Sequence, residues 1–133
     1  MKIYLAGPIQ GQTDLECIGW RNAAKHHLEQ HGHSVSNPMD RDFRGSEESH
    51  AEEIVEGDKD AIAQSDLLLV KADFPSWGTA MEIAYAKTFG KDVVAFSDAD
   101  VISPWLRCHT TAIYNTLHDA LLGITTHSMK GLR

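Results

Sequence analysis

Short, near-continuous apolar runs alternate along this chain with longer stretches of helical period, and no other feature limits the fold as much. "KIYLAG" (2–7), "HSVSNP" (33–38), "DLLLVKAD" (66–73), "KDVVAFSD" (91–98) and "HTTAIYN" (109–115) read as strands. Runs that are apolar at successive positions suit strands covered on both faces. Between them, residues 14–30, 50–65, 77–89 and 116–124 carry apolar side chains at helical spacing, for example Ile18, Ala23/Ala24 and Leu28. Gly32 and Gly90 supply helix stops, and Gly57 reads as a tolerated interruption of the second helix. Residues 39–50, "MDRDFRGSEESH", hold too much unpaired charge to be core and read as a loop.

Strands alternating with helices in 133 residues imply one α/β domain. The expected fold is a flavodoxin-like or Rossmann-like three-layer sandwich around a roughly five-stranded parallel sheet, over residues 1–124. Residues 125–133 are set apart as a C-terminal tail. Ligands of such sheets bind outside the carboxyl ends of the strands. That rule gathers Gly7–Gly11, the Asn37-Pro38 corner, Asp73–Gly78 and Asp98–Ser103 around one crevice.

Composition narrows what the crevice could serve. A formal charge of -7 argues against a nucleic-acid partner, which would call for a basic stripe, but leaves room for a small anion at a helix N-terminus. No stretch approaches the length of a membrane span, and "MKIYLAGPI" reads as a first strand in place of a signal peptide. Two cysteines, Cys17 and Cys108, form no disulfide framework, so a cytoplasmic protein is expected. His26, His27, His31 and His33 cluster without metal-ligand spacing. Neither a metal nor a cofactor is expected.

Within "FPSWGTAMEIAYAKTFGK" (74–91) one acid, Glu82, stands in a helix that is apolar nearly all round. Its neighbours on that face are Gly78, Tyr85, Ala86 and Phe89. Burying a carboxylate costs several kcal/mol unless it is paired, hydrogen-bonded or protonated, so an acid there needs a reason. Lying one turn past the loop, it can gain from the helix dipole and be aimed into the crevice as base or nucleophile. Asp58 is the second candidate, although Glu56 and Asp60 beside it suggest a merely solvated acidic face. Two carboxylates flanking a site suit cleavage of a glycosidic bond. Ser76, Gly78 and Thr79 open the helix and can cradle a small anion, or Ser76 can serve as a plain N-cap. "YLAGPIQG" matches neither GxGxxG nor a P-loop, so Gly7 reads as a tight turn with positive φ, and Tyr4 as a packed sheet residue or a hydroxyl aimed at the crevice.

Together, "YLAGPI", "GDKDAIAQSD" and "PSWGTAMEIAYAKTFGKDVV" resemble the nucleoside 2-deoxyribosyltransferase superfamily, which includes deoxynucleoside-monophosphate and CMP N-glycosidases. The resemblance spans most of residues 1–122. It implies that Glu82 is the nucleophile attacking the anomeric carbon, that Asp58 contacts the base, and that Tyr4 orients the nucleophile. Transferases of free nucleosides place an aspartate two residues before the motif glycine, and this chain has Ser76 there, as the monophosphate hydrolases do. The resemblance further implies a phosphate held by Ser76, and a homodimer, or a higher homo-oligomer, in which Ser103 of "ISPWLRC" is donated across the interface. The first loop, "GPIQGQTD", lacks the arginine those hydrolases use, so Arg41, Arg44 or Arg107 would supply the charge. The expected substrate is a 2′-deoxynucleoside 5′-monophosphate or a nucleoside. Alternative readings are a non-catalytic nucleotide-binding module and a structural dimer with a vestigial crevice.

Overall fold

The computed structural model describes residues 1–126 and contains one five-stranded sheet, every pairing of which is parallel. Its strands are β1 (Lys2–Ala6), β2 (Ser34–Ser36), β3 (Leu67–Lys71), β4 (Asp92–Phe96) and β5 (Ala112–Tyr114), arranged β2-β1-β3-β4-β5. This is the expected doubly wound order, with the switch point between β1 and β3. The tail set apart in the sequence lies, from residue 127 onward, outside the described residues.

Among the described residues five α-helices cover the sheet: α1 (Trp20–Gln30), α2 (Ala51–Ala63), α3 (Trp77–Thr88), α4 (Pro104–Cys108) and α5 (Leu117–Thr125). The period of two along each strand divides the core. Ile3, Leu5, Leu67, Leu69 and Val94 pack with Ala24 and Leu28 of α1 and Ile124 of α5. Tyr4, Leu68, Val70 and Val93 point the other way, against Ile62 of α2 and Ile83 and Ala86 of α3. All of these side chains are buried, which is why the strands read as unbroken apolar runs.

Several elements depart from the sequence reading. The first helix opens with a π-helical turn, Leu15–Gly19, before α1 proper. The short α4 was given no element from the sequence, although Ser103 caps it, accepting a bond from the Trp105 N–H at 3.2 Å, and Pro104 follows at its first position. Residues 39–50 are a loop with two short 3-10 turns, Pro38–Asp40 and Glu48–His50, but its arginines are paired. Gly7 does not have positive φ; among the described residues the glycines that do are Gly11, Gly32, Gly45 and Gly90. A Cβ on Gly7 would stand 3.0 Å from the Trp20 ring and 3.2 Å from the Lys71 Cβ, so close packing, not a turn angle, requires glycine there.

Candidate active site

The carboxyl ends of β1 and β3, with the first turn of α3 and the face of α2, enclose an open cavity of about 880 Å³. That size suits a small-molecule site. Gly7, Ser76, Gly78, Glu82 and Asp58 all line it, so five of the seven proposed site residues converge there. Tyr4 joins them from below, fully buried in the middle of β1 and paired in register with Leu68 and Ser36. Its hydroxyl donates a short hydrogen bond to Glu82 Oε2. Of the segments grouped around the crevice from the sequence, Asp98–Ser103 does not line this cavity. Ser103 is exposed, and its hydroxyl is used as the cap of α4.

Burial drives the electrostatics. Desolvation pushes the Glu82 carboxyl up to about 8, the nearby Asp58 charge adds to the rise, and the Tyr4 hydroxyl and the Arg21 guanidinium act against it. The helix dipole gives little relief, because Glu82 is the sixth residue of α3 and the dipole's effect fades within the first turn. Tyr4 is raised far above its usual range, by burial first and then by the charges of Glu82 and Asp58, so it stays a proton donor throughout the working range of pH. Asp58 is raised by burial too, with Arg41 and Tyr4 pulling it down. Glu56 and Asp60 are exposed, whereas Asp58 keeps only 20% side-chain exposure, so it is not part of their solvated face.

Two arginines of the 39–50 loop close one side. Arg41 Nη2 lies 2.7 Å from Asp58 Oδ1. A Cβ on Gly57 would sit 2.2 Å from Arg41 Nη1, so Gly57 is the notch over which Arg41 reaches Asp58. Arg44 pairs with Asp42 at 2.7 Å and with Asp14, tying the loop to the start of the first helix. Arg41 and Arg44 line the cavity; Arg107 does not. Gln10 and Gln12 occupy the first-loop wall.

At the start of α3, Ser76 has extended backbone (φ -145, ψ 131) and occupies the N-cap position without using its side chain as a cap. The Thr79 Oγ1 is buried and has no hydrogen-bond partner. The first turn of a helix leaves its N–H groups without intrahelical acceptors, so this end offers several unused donors to the cavity. Among the described residues no cluster of three or more His, Cys, Asp or Glu side chains could hold a metal ion.

The sequence reading missed Arg21, which lines the cavity although it is fully buried. A signal was available. Cys17, Arg21, Ala24 and Leu28 share the buried stripe of the first helix, which places an arginine in a row otherwise apolar.

Residues 3–128 match the nucleoside 2-deoxyribosyltransferase family. The fold is similar to that of the 2-deoxyribosyltransferase of Bacillus psychrosaccharolyticus, with 24% identity, a TM-score of 0.72, and coverage of 91% of this chain and 90% of that one. It is also similar to a 2-deoxyribosyltransferase of Leishmania mexicana, at 22% identity and TM-score 0.73 over 95% and 97% of the two chains. The Clostridium botulinum CMP N-glycosidase BcmB gives 21% identity and TM-score 0.67 over 93% and 98%. At these identities the likenesses speak for the fold alone. No curated protein sequence matches the chain.

The cost of ionising Glu82 is measurable. A carboxyl whose folded pKa lies above its unfolded value gives its full stability below the unfolded value, 4.5, and loses it as pH rises through about 8. Glu82→Gln cannot ionise. It is expected to melt near the wild-type temperature at pH 5 and at least about 3 °C above it at pH 9. A difference in melting temperature that is constant from pH 5 to pH 9 would show that Glu82 ionises without penalty.

Proposed function

The chain belongs to the nucleoside 2-deoxyribosyltransferase family, and on that premise we propose that it cleaves the N-glycosidic bond of a 2′-deoxynucleoside 5′-monophosphate through a covalent ester on Glu82. The observation that carries this reading is the hydrogen bond from buried Tyr4 to Glu82, which lines the cavity. Tyr4 engages one carboxylate oxygen, fixes the side chain and leaves the other oxygen to attack C1′. The C1′–N bond breaks as the Glu82–C1′ ester forms, and the bond's electron pair leaves with the base. Asp58, half-buried and paired with Arg41, contacts the departing base, which takes its proton from solvent. Water then attacks C1′, releases Glu82 as carboxylate and gives up its proton to solvent; a second base in place of water gives transfer.

The phosphate is assigned to the start of α3. An oxyanion there meets free N–H groups, the uncommitted Ser76 hydroxyl and the unpartnered Thr79 Oγ1. A carboxylate at position 76 would repel it.

The active unit is proposed to be a homodimer that brings Ser103 of one subunit towards the cavity of the other. Trp77, Met81, Val101 and Trp105 are 84%, 64%, 83% and 78% exposed, and large apolar side chains left in water favour such an interface.

Three measurements bear on these statements. Wild type is expected to release free base from at least one of dCMP, dUMP, dGMP and dAMP, and Glu82→Ala to lose at least about a thousand-fold in rate. No release by wild type leaves a non-catalytic nucleotide-binding module, whereas unchanged turnover by Glu82→Ala removes the covalent step; added free base separates transfer from hydrolysis. Ser76→Asp is expected to lower kcat/KM on the monophosphate at least about ten-fold while sparing the nucleoside; equal losses on both would dissociate Ser76 from the phosphate. Trp105→Glu is expected to sediment as a monomer with nucleotide turnover lost, and a fully active wild-type monomer would refute the shared site.

A further inference from the structure

An arginine with no exposed surface is costly unless its charge is answered. Arg21 is 0% exposed, yet among the described residues no carboxylate forms an ion pair with it. Its hydrogen bonds go to backbone carbonyls: Nη1 to Cys17 O at 2.7 Å, Nη2 to Gly7 O at 2.8 Å and Nε to Leu5 O at 3.4 Å. Its guanidinium carbon also stands 4.8 Å from the Trp20 ring centroid. Carbonyls and a ring face steady a cation but carry no net negative charge, so the full positive charge remains in a low-dielectric interior. There its field is felt far more than in water.

That field falls on the proposed reaction centre. Arg21 reaches the cavity lining from α1, and Gly7 makes room for it: a Cβ there would lie 3.5 Å from Nη2 as well as against Trp20. The titratable and charged groups facing Glu82 are the Tyr4 hydroxyl from β1, Asp58 from α2 and Arg21 from α1. Of these, Asp58 opposes ionisation of Glu82 and Tyr4 offers a neutral hydrogen bond. Arg21 is the single cation in the set. Arg41, the other nearby arginine, is spent on Asp58, and Arg44 on Asp42 and Asp14.

We propose that Arg21 is a positioning residue that acts through Glu82: its unpaired buried charge favours ionisation of Glu82, while its carbonyl bonds hold the β1–α1 turn in place. This deepens the proposed function and rests on the assignment of Glu82 as nucleophile. Arg21 itself touches neither sugar nor base in this reading. A residue that merely pinned the turn would need the donors but not the charge, and that distinction is testable.

Two variants separate charge from donors. Arg21→Gln keeps a hydrogen-bond donor and loses the charge; Arg21→Lys keeps the charge and loses the planar fork. The readout is the pH profile of kcat for base release, whose acid limb reports ionisation of Glu82 in the bound complex. Arg21→Gln is expected to move that limb up by at least about one pH unit, so kcat falls about ten-fold below the limb and recovers at high pH, with KM changed less than about three-fold. Arg21→Lys is expected to leave the limb where it stands. A loss in Arg21→Gln that is equal at every pH, or a matching shift in both variants, overturns the proposal. If Arg21→Gln does not fold, Arg21→Lys decides alone: an unmoved limb supports it and a raised limb defeats it. Carbon-13 titration of the Glu82 carboxyl in the same proteins needs no turnover. A Glu82 pKa that rises in Arg21→Gln while Glu82→Ala retains activity would leave Arg21's hold on Glu82 intact and remove the nucleophile assignment instead.

Discussion

A half-buried carboxyl group whose ionisation is costly governs how this domain is put together around its cavity. Glu82 sits past the reach of the α3 dipole and among apolar neighbours, so the fold has to bring compensation from elsewhere. Tyr4 brings a hydroxyl from the middle of a central strand, where register with β2 and β3 holds its backbone. Arg21 brings charge from α1, through the gap left by Gly7. The strand order is what allows this. Because β1 and β3 are parallel neighbours, the helix after β1 and the helix after β3 both start at the same end of the sheet, side by side. A hydroxyl, a cation and a carboxylate from three elements can then meet at the switch point.

The rim of the cavity follows a different rule. Here the charges are paired directly and lie closer to solvent: Arg41 on Asp58, Arg44 on Asp42 and Asp14. Such pairs add little stability at a surface, but each fixes the position of a long side chain. Arg41 crosses α2 only because Gly57 lacks a side chain, and the pairing places a cation against the carboxylate proposed to contact the base. The polar loop at residues 39–50 is therefore tethered at two points, to α2 and to the start of the first helix. On the proposed reading it forms the wall that the base meets.

The sheet was legible because its physics is written locally. Five apolar runs and the glycines that end the helices predict the strands, their parallel arrangement and the location of the crevice. Glu82 was legible for the opposite reason: it breaks the local pattern, and a charge inside an apolar helix has to be accounted for. Residues whose reason lies in another element were not. Gly7 looks like a turn glycine until Trp20 and Lys71 are seen packed over it. Gly57 looks like a tolerated defect until Arg41 passes above it. Arg21 passed unnoticed because an arginine in a helix is ordinarily solvated, although its place in line with Cys17, Ala24 and Leu28 set it on the buried stripe. The short α4 was missed for brevity alone, since five residues carry no period, yet its Ser-Pro start was readable.

The same accounting constrains how a phosphate can be held by a chain with formal charge -7. An anion binder usually spends an arginine on its ligand. Here all three arginines at the cavity are already engaged, two with carboxylates and one with backbone carbonyls. Redirecting Arg41 or Arg44 would leave Asp58 or Asp42 without its partner. Redirecting Arg21 would leave the carbonyls of Cys17 and Gly7 without theirs and draw the cation away from Glu82. At the start of α3 the groups with bonding capacity to spare are neutral: the first N–H groups of the helix, the Ser76 hydroxyl and the buried Thr79 Oγ1. A phosphate bound there is recognised by direction more than by charge. Its affinity then depends on the geometry of one helix end, and Ser76 is the position at which a single added charge would oppose it.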